Sequence, residues 1–230
     1  KNVSDQDLKD VVQDAFAAGW SRIKLYFMIG LPTETQEDLE GIVDLAHKVL
    51  AWGKESRSAR RRAEVTISVA SFVPKPHTPF QWFGQEKRQN ILKRQAYLRE
   101  LFRPIKQARL VCHDMPLSYL EAVFSRGDRQ LNRLLKRAWE LGCKFDGWSE
   151  HFKEDKWQQA FQECGLVAEA FANRAFSKDD YLPWQHLSSG VSSKWLWREW
   201  EKAQAGVTTE DCRHGPCSGC GVCQAVACAN

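Results

Sequence analysis

Apolar and polar positions alternate along this chain in two rhythms. Leu8, Val11, Val12, Ala15 and Phe16 recur at helical spacing behind Ser4 and Asp7, a capping-box-like pair, and Gly19 closes that helix. Ile23–Ile29 is almost continuously apolar, which predicts a strand covered on both faces, as in a parallel sheet. Leu39, Ile42, Val43, Ala46, Val49 and Leu50 then form the stripe of a second helix, from about Gln36 to Trp52, ended by Gly53. Glu64–Val73 has the period of a strand, with Val65, Ile67 and Val69 on one face and Thr66, Ser68 and Ala70 on the other. Ile91, Leu92, Leu98, Leu101 and Phe102 mark a helix over Gln85–Phe102, which Pro104 stops. Arg109–Cys112 is a short strand.

The order is helix–strand three times over. Right-handed crossovers make such strands parallel. Three strands cannot close a (β/α)8 barrel, so they form either a small open sheet or an arc whose other strands lie before Lys1. Small residues at Thr66, Ser68 and Ala70 suit a barrel interior with room for a ligand. Beyond Asp114 only the helical rhythm remains, in Leu117–Ser125, Asp128–Leu141, Asp155–Cys164 and Ser192–Ala203. Ten Trp, seven of them from Trp139 onward, suggest a packed helical region there.

The sharpest punctuation is at Lys24–Thr35, KLYFMIGLPTET. Gly30 and Pro32 break the first strand, and Thr35 with Asp38 opens the next helix. In parallel α/β folds, ligands sit where strands end and helices begin. Gly30 lets a ring approach the backbone, and Pro32 stiffens the turn. Glu34 has two readings, as an acceptor for a ligand or as a charge supporting the helix N-terminus. The second strand ends in PKPHTPFQW (Pro74–Trp82), a stiff extended segment carrying His77. The third delivers His113 and Asp114. These three are the candidate catalytic residues, each set against an ordinary surface or hydrogen-bonding role. In SRGDR, Arg126, Asp128 and Arg129 read as an ion-pair network or as an anion site.

The net charge of +4, with an isoelectric point near 8.6, argues only weakly for a nucleic-acid partner. The basic loop Lys54–Arg62 is either an RNA contact or a solvated surface. No apolar run approaches the ~20 residues of a membrane span, and no signal peptide opens the chain, so a cytoplasmic protein without membrane contact is predicted. The sequence starts on Lys1, directly in a helix, which points to an upstream segment.

Five of the eight cysteines crowd into the last 20 residues. Cys217, Cys220 and Cys223 share a C-x2-C-x2-C run, with Cys212 or His214 as a fourth ligand and Cys228 as a further candidate. Closely spaced thiolates repel unless a cation neutralises them, so the tail predicts either an iron–sulfur cluster or a zinc site. Cys112, Cys143 and Cys164 lie in apolar contexts and read as core thiols.

FMIGLPTET (Phe27–Thr35) resembles the fifth-strand motif of radical S-adenosylmethionine (radical SAM) barrels. SVASFVPKPHTPFQW (Ser68–Trp82) resembles their sixth-strand segment. His113–Arg129, Cys143–Phe152, Leu182–Val191 and Asp211–Cys223 are similar to a poorly characterised radical SAM family in which a cobalamin-binding-type domain precedes the barrel. The resemblance implies an α/β fold: a partial (β/α) barrel over residues 1–115, a helical extension over 116–205 and a Cys-rich metal-binding tail over 206–230. It implies that Ile29, Gly30, Leu31, Pro32 and Glu34, with Phe72, Pro74 and Pro76, flank S-adenosylmethionine. The C-x3-C-x2-C motif that binds the family's 4Fe–4S cluster is absent from these residues. The resemblance therefore implies a C-terminal fragment, inactive alone, whose N-terminal partner supplies that cluster and a possible cobalamin site. The implied chemistry is radical modification or methylation of an RNA or other large substrate. The alternative is a non-enzymatic, zinc-stapled α/β module that binds RNA or a partner protein.

Overall fold

The computed structural model describes residues 3–56 and 62–223. The chain divides into two compact units, one comprising Lys1–Phe72 with Lys87–Met115, the other Val73–Glu86 with Pro116–Asn230.

In the first unit, α1 (Asp5–Ala17), β1 (Arg22–Ile29), α2 (Gln36–Glu55), β2 (Glu64–Ser71), α3 (Arg88–Phe102) and β3 (Ala108–Cys112) follow one another as the periodicity predicts. Ser4 caps α1: its hydroxyl accepts from the Asp7 amide at 3.1 Å, while the Asp7 carboxylate accepts from the Ser4 amide at 2.8 Å. The three strands are parallel, in the order β1-β2-β3. Tyr26 lies opposite Ser68, and Ser68 opposite Val111.

One face of the sheet is the core, and the central strand β2 is buried on its other face as well, at Thr66 and Ser68. Val65, Ile67 and Val69 are almost inaccessible, as are Ala46 and Val49 of α2 and Ile91 and Leu98 of α3. On the other face, Lys24 Nζ lies 4.7 Å from the centre of the Tyr26 ring, and Ser68 Oγ lies 3.5 Å from His113 Nε2.

The double cover expected for β1 is not there. Its burial alternates, with Tyr26 72% and Met28 54% exposed. β1 is an edge strand, paired only with β2 among the described residues, so just one of its faces is buried. Its apolar run therefore exposes a face that lone β-strands ordinarily fill with polar residues.

The second unit is helical. It holds α4 (Met115–Arg126, whose first residue belongs to the first unit), α5 (Leu131–Glu140), α6 (Glu154–Glu163), a short α7 (Glu169–Ala172) and α8 (Ser193–Gln204). A 3-10 turn at Pro79–Trp82 packs on α8. Residues 73–86, expected to belong with the strands, group here: Val73 enters a core with Val123, Leu134 and Trp157. A second core gathers Trp82, Phe176, Leu182, Trp184 and Leu196, flanked by Trp197 and Trp200, whose rings stack at 4.3 Å.

Candidate functional site

The turn after β1 is rigid because its polar groups satisfy one another. Gly30 takes a φ of +81°, a left-handed conformation that a glycine adopts without strain. The Gly30 amide donates to both oxygens of Glu34, at 2.9 and 3.1 Å. Arg94 Nη1 of α3 donates to the same carboxylate at 2.6 Å, and the Glu34 side chain is only 5% exposed. Glu34 thus braces the turn and ties it to α3. The start of α2 is served instead by Asp38, whose carboxylate accepts from the Thr35 amide at 2.8 Å. Thr33 also has a left-handed backbone, with φ of +67°.

A cavity of about 390 Å³ opens beside this turn, lined by Phe27, Met28, Leu31, Pro32, Asp38 and Ile42, among others. Of the residues expected to flank a ligand, Leu31 and Pro32 are half-buried and line it. Ile29 and Gly30 are buried. Phe72 is buried, and its amide donates to the Ile29 carbonyl at 2.8 Å, which brings the end of β2 to the turn. Pro74 is buried and Pro76 half-buried in the second unit. With both Glu34 oxygens engaged, the turn offers shape and backbone to a ligand rather than a proton donor or acceptor.

His113 extends the β3 ladder: its amide donates to the Val69 carbonyl at 2.8 Å, and its own carbonyl accepts from Gln95 Nε2 at 3.2 Å. Its imidazole meets Ser68 on the sheet face opposite the core. Asp114 is exposed beside it. His77 stands in the second unit in a left-handed conformation, φ +57°.

Arg126 forms neither an ion-pair network nor an anion site with its neighbours in sequence. It is 1% exposed, donates to the carbonyls of Gln81 at 3.0 Å and Arg174 at 2.5 Å, and has no carboxylate partner among the described residues. Its guanidinium and that of Arg174 both lie on the Phe176 ring, at 5.1 and 4.7 Å from the centre. Burial, then the Arg174 charge, pulls its pKa down to about 10. Asp128 accepts from the Gln130 amide at 2.8 Å in the turn before α5.

The cysteine tail is tethered through its backbone, the Ser192 amide donating to the Cys220 carbonyl at 2.7 Å. Cys212 and Cys217 are exposed, Cys220 and Cys223 half-buried. No three His, Cys, Asp or Glu side chains converge as metal ligands among the described residues. The four thiols therefore do not form a closed site in this arrangement. Cys228 lies outside the described residues, as do Arg57, Arg60 and Arg61 of the basic loop. Cys143 is buried and Cys112 half-buried, and burial raises both thiol pKa values. Among the described residues no helix is long and apolar enough to cross a membrane.

Sequence reasoning missed three organising residues: Arg94, Gln81 and the buried role of Arg126. Their partners lie 60 residues from Arg94, 103 from Gln81 and 45 or more from Arg126. The only local signal was a polar residue inside an otherwise apolar stretch, as in PFQW around Gln81.

The chain is 31% identical over 135 residues to the uncharacterized protein MJ0966 of Methanocaldococcus jannaschii. The match covers 59% of this chain, and the chain spans about 28% of the length of that relative. No family model and no solved structure matches the chain.

Proposed function

We propose that this chain is the C-terminal part of a radical SAM enzyme and supplies one side of its S-adenosylmethionine and substrate cavity. The observation that carries the reading is the exposed face and unpaired edge of β1. Helices cover one face of a parallel, sequentially ordered arc, while β1 on the other face exposes Tyr26 and Met28 and leaves its outer edge unpaired among the described residues. An isolated sheet with such a face and edge invites association. An arc of a barrel would have both completed by preceding strands.

Within that reading, the chain's own residues bind and orient. Gly30, buried and braced by Glu34 and Arg94, fixes the turn at the strand end, and Leu31 and Pro32 wall the cavity. A preorganised turn of this kind loses little entropy when it orders a ligand. S-Adenosylmethionine together with a 4Fe–4S cluster would supply radical chemistry at this cavity. That cluster would be held upstream, since no C-x3-C-x2-C occurs here. In the same reading Cys212, Cys217, Cys220 and Cys223 would hold a second metal once brought together, which the described arrangement does not do. The substrate in this reading is an RNA or another large molecule.

The test uses a protein in which this chain continues upstream into a C-x3-C-x2-C motif. Reconstituted anaerobically with iron and sulfide, then given a reductant and S-adenosylmethionine, it forms 5′-deoxyadenosine, and Gly30→Val lowers that yield. A colourless protein that holds one zinc and releases no 5′-deoxyadenosine contradicts the reading and favours the zinc-stapled binding module.

A further inference from the structure

The second unit contains a cavity of about 560 Å³ that the reading above leaves without a role. One wall is the Pro-rich segment, with His77, Gln81 and Trp82; residues from Lys178 to Leu196 form the rest. This volume is within the range of small-molecule sites.

Gln81 lines the cavity and is only 2% exposed. Its Oε1 accepts from the His77 amide at 3.0 Å and from Trp184 Nε1 at 2.7 Å. Those two donors fix the side-chain amide, because turning it over would set N–H against N–H. Nε2 is left as the spare donor. It has no hydrogen-bond partner among the described residues, and it is not among the side-chain atoms sealed away without one. A buried amide donor held open toward a cavity is a position prepared for an acceptor on a ligand.

The surroundings restrict that ligand. His77 is kept in its left-handed backbone conformation beside Gln81, and its imidazole has no hydrogen-bond partner among the described residues. Strain of this kind, maintained by its neighbours, is a feature of ligand clamps. Tyr181 is 70% exposed at the lining and offers a ring face. The Asp179 carboxylate is likewise without a partner among the described residues, whereas Asp180 is occupied by the Ser177 amide at 2.8 Å. Two carboxylates against the single ammonium of Lys178 disfavour a phosphate or carboxylate inside the cavity. What fits is a neutral, planar heterocycle with an acceptor on one edge and an amino group on another.

We infer that this cavity receives an unpaired nucleobase, with an acceptor edge on Gln81 Nε2, an amino edge toward Asp179 and aromatic contact from Tyr181. Unstacked bases of single strands are read in this way, through edge hydrogen bonds and aromatic faces. The inference rests on the nucleic-acid reading of the substrate and deepens it, since it assigns the grip to a base rather than to the phosphate backbone.

The experiment measures fluorescence anisotropy of labelled single-stranded hexaribonucleotides (A6, C6, U6 and a mixed sequence) titrated with the whole chain. At least one binds, and an unlabelled blunt duplex containing that sequence fails to compete. Tyr181→Ala, a surface change, weakens binding at least fivefold. Gln81→Glu keeps the Oε1 acceptor, replaces the spare donor and weakens binding at least tenfold. Its melting temperature is measured alongside, and Tyr181→Ala decides the matter if Gln81→Glu fails to fold. No binding by any hexaribonucleotide, equal competition by the duplex, or undiminished binding by Tyr181→Ala overturns the inference. No turnover is involved, so failure here leaves the reading of the Gly30 turn standing, and absence of 5′-deoxyadenosine formation leaves this site standing.

Discussion

Arg94 and Glu34 are joined by a 2.6 Å charge-assisted hydrogen bond between α3 and the turn that follows β1, and the same carboxylate holds the Gly30 amide through both oxygens. The pair is mostly buried, with side-chain exposures of 23% and 5%. Removing one partner leaves the other charge poorly solvated, which is costlier than the net worth of the pair. Glu34→Ala is expected to lower stability by about 2 kcal/mol. A double-mutant cycle with Arg94→Met should show a coupling of about 1–2 kcal/mol in urea unfolding. A coupling near zero would mean that the turn is held by its backbone alone.

Arg126 of α4 joins two other segments of the second unit: the 3-10 turn through the Gln81 carbonyl, and residues 174–176 through the Arg174 carbonyl and the Phe176 ring. Methionine keeps much of the volume but leaves two carbonyls without their donors. Arg126→Met should therefore destabilise by about 3 kcal/mol, seen as a lower urea midpoint. Arg126→Lys, lacking the fork that reaches both carbonyls, should recover only part of this. A methionine variant as stable as the parent would show that the buried charge is dispensable.

Two glycines should respond to alanine with opposite signs. A Cβ on Gly84 would come within 2.2 Å of the Asn173 carbonyl oxygen, which is backbone and cannot swing away. Gly84→Ala is expected to cost at least about 2 kcal/mol, a typical overpacking penalty. Gly41 lies inside α2, and a Cβ there meets nothing within 4 Å. Gly41→Ala should stabilise by about 0.5–1 kcal/mol through helix propensity and a less disordered unfolded chain. Thermal melting of the two variants beside the parent separates these outcomes.

The cysteines should differ in reactivity by position. Burial raises the Cys112 and Cys143 thiol pKa values above the ordinary 9.0. At a given pH the folded protein then has less thiolate at these positions than an unfolded chain would. The stabilisation that goes with the protonated thiols is complete below pH 9 and is lost as the pH rises through the folded-state values. In native protein at pH 8, iodoacetamide should modify the exposed Cys212 and Cys217 first, with Cys112 and Cys143 slower by at least about tenfold. Peptide mass spectrometry over time checks this. Labelling of Cys112 in step with the tail would contradict the burial described.

The elements were legible where their determinants are local. Ser4 with Asp7, and Thr35 with Asp38, announce helix starts within four residues, and the apolar stripes of α2 and α5 need no knowledge of their partners. β1 was misread because an uninterrupted apolar strand has the same sequence whether one face is covered or two. Its exposed Tyr26 and Met28 are visible only once the sheet is built. The Gly30 turn was legible as a turn, whereas its brace was not, since Arg94 lies 60 residues from Glu34. Gln81 gave no periodic signal, because it belongs to a short 3-10 turn whose partner, Trp184, is 103 residues away.

The exposed face of β1 is the centre of this account. Hydroxyl-radical footprinting reads it directly through the oxidation of Tyr26 and Met28, in this chain alone and in the protein extended upstream. The barrel reading predicts that both side chains are oxidised rapidly in the isolated chain and are strongly protected in the longer protein, with slower amide exchange along β1. Equal oxidation of Tyr26 and Met28 in the two proteins would mean that no preceding strands complete this sheet, and the assignment to a radical SAM barrel would fall.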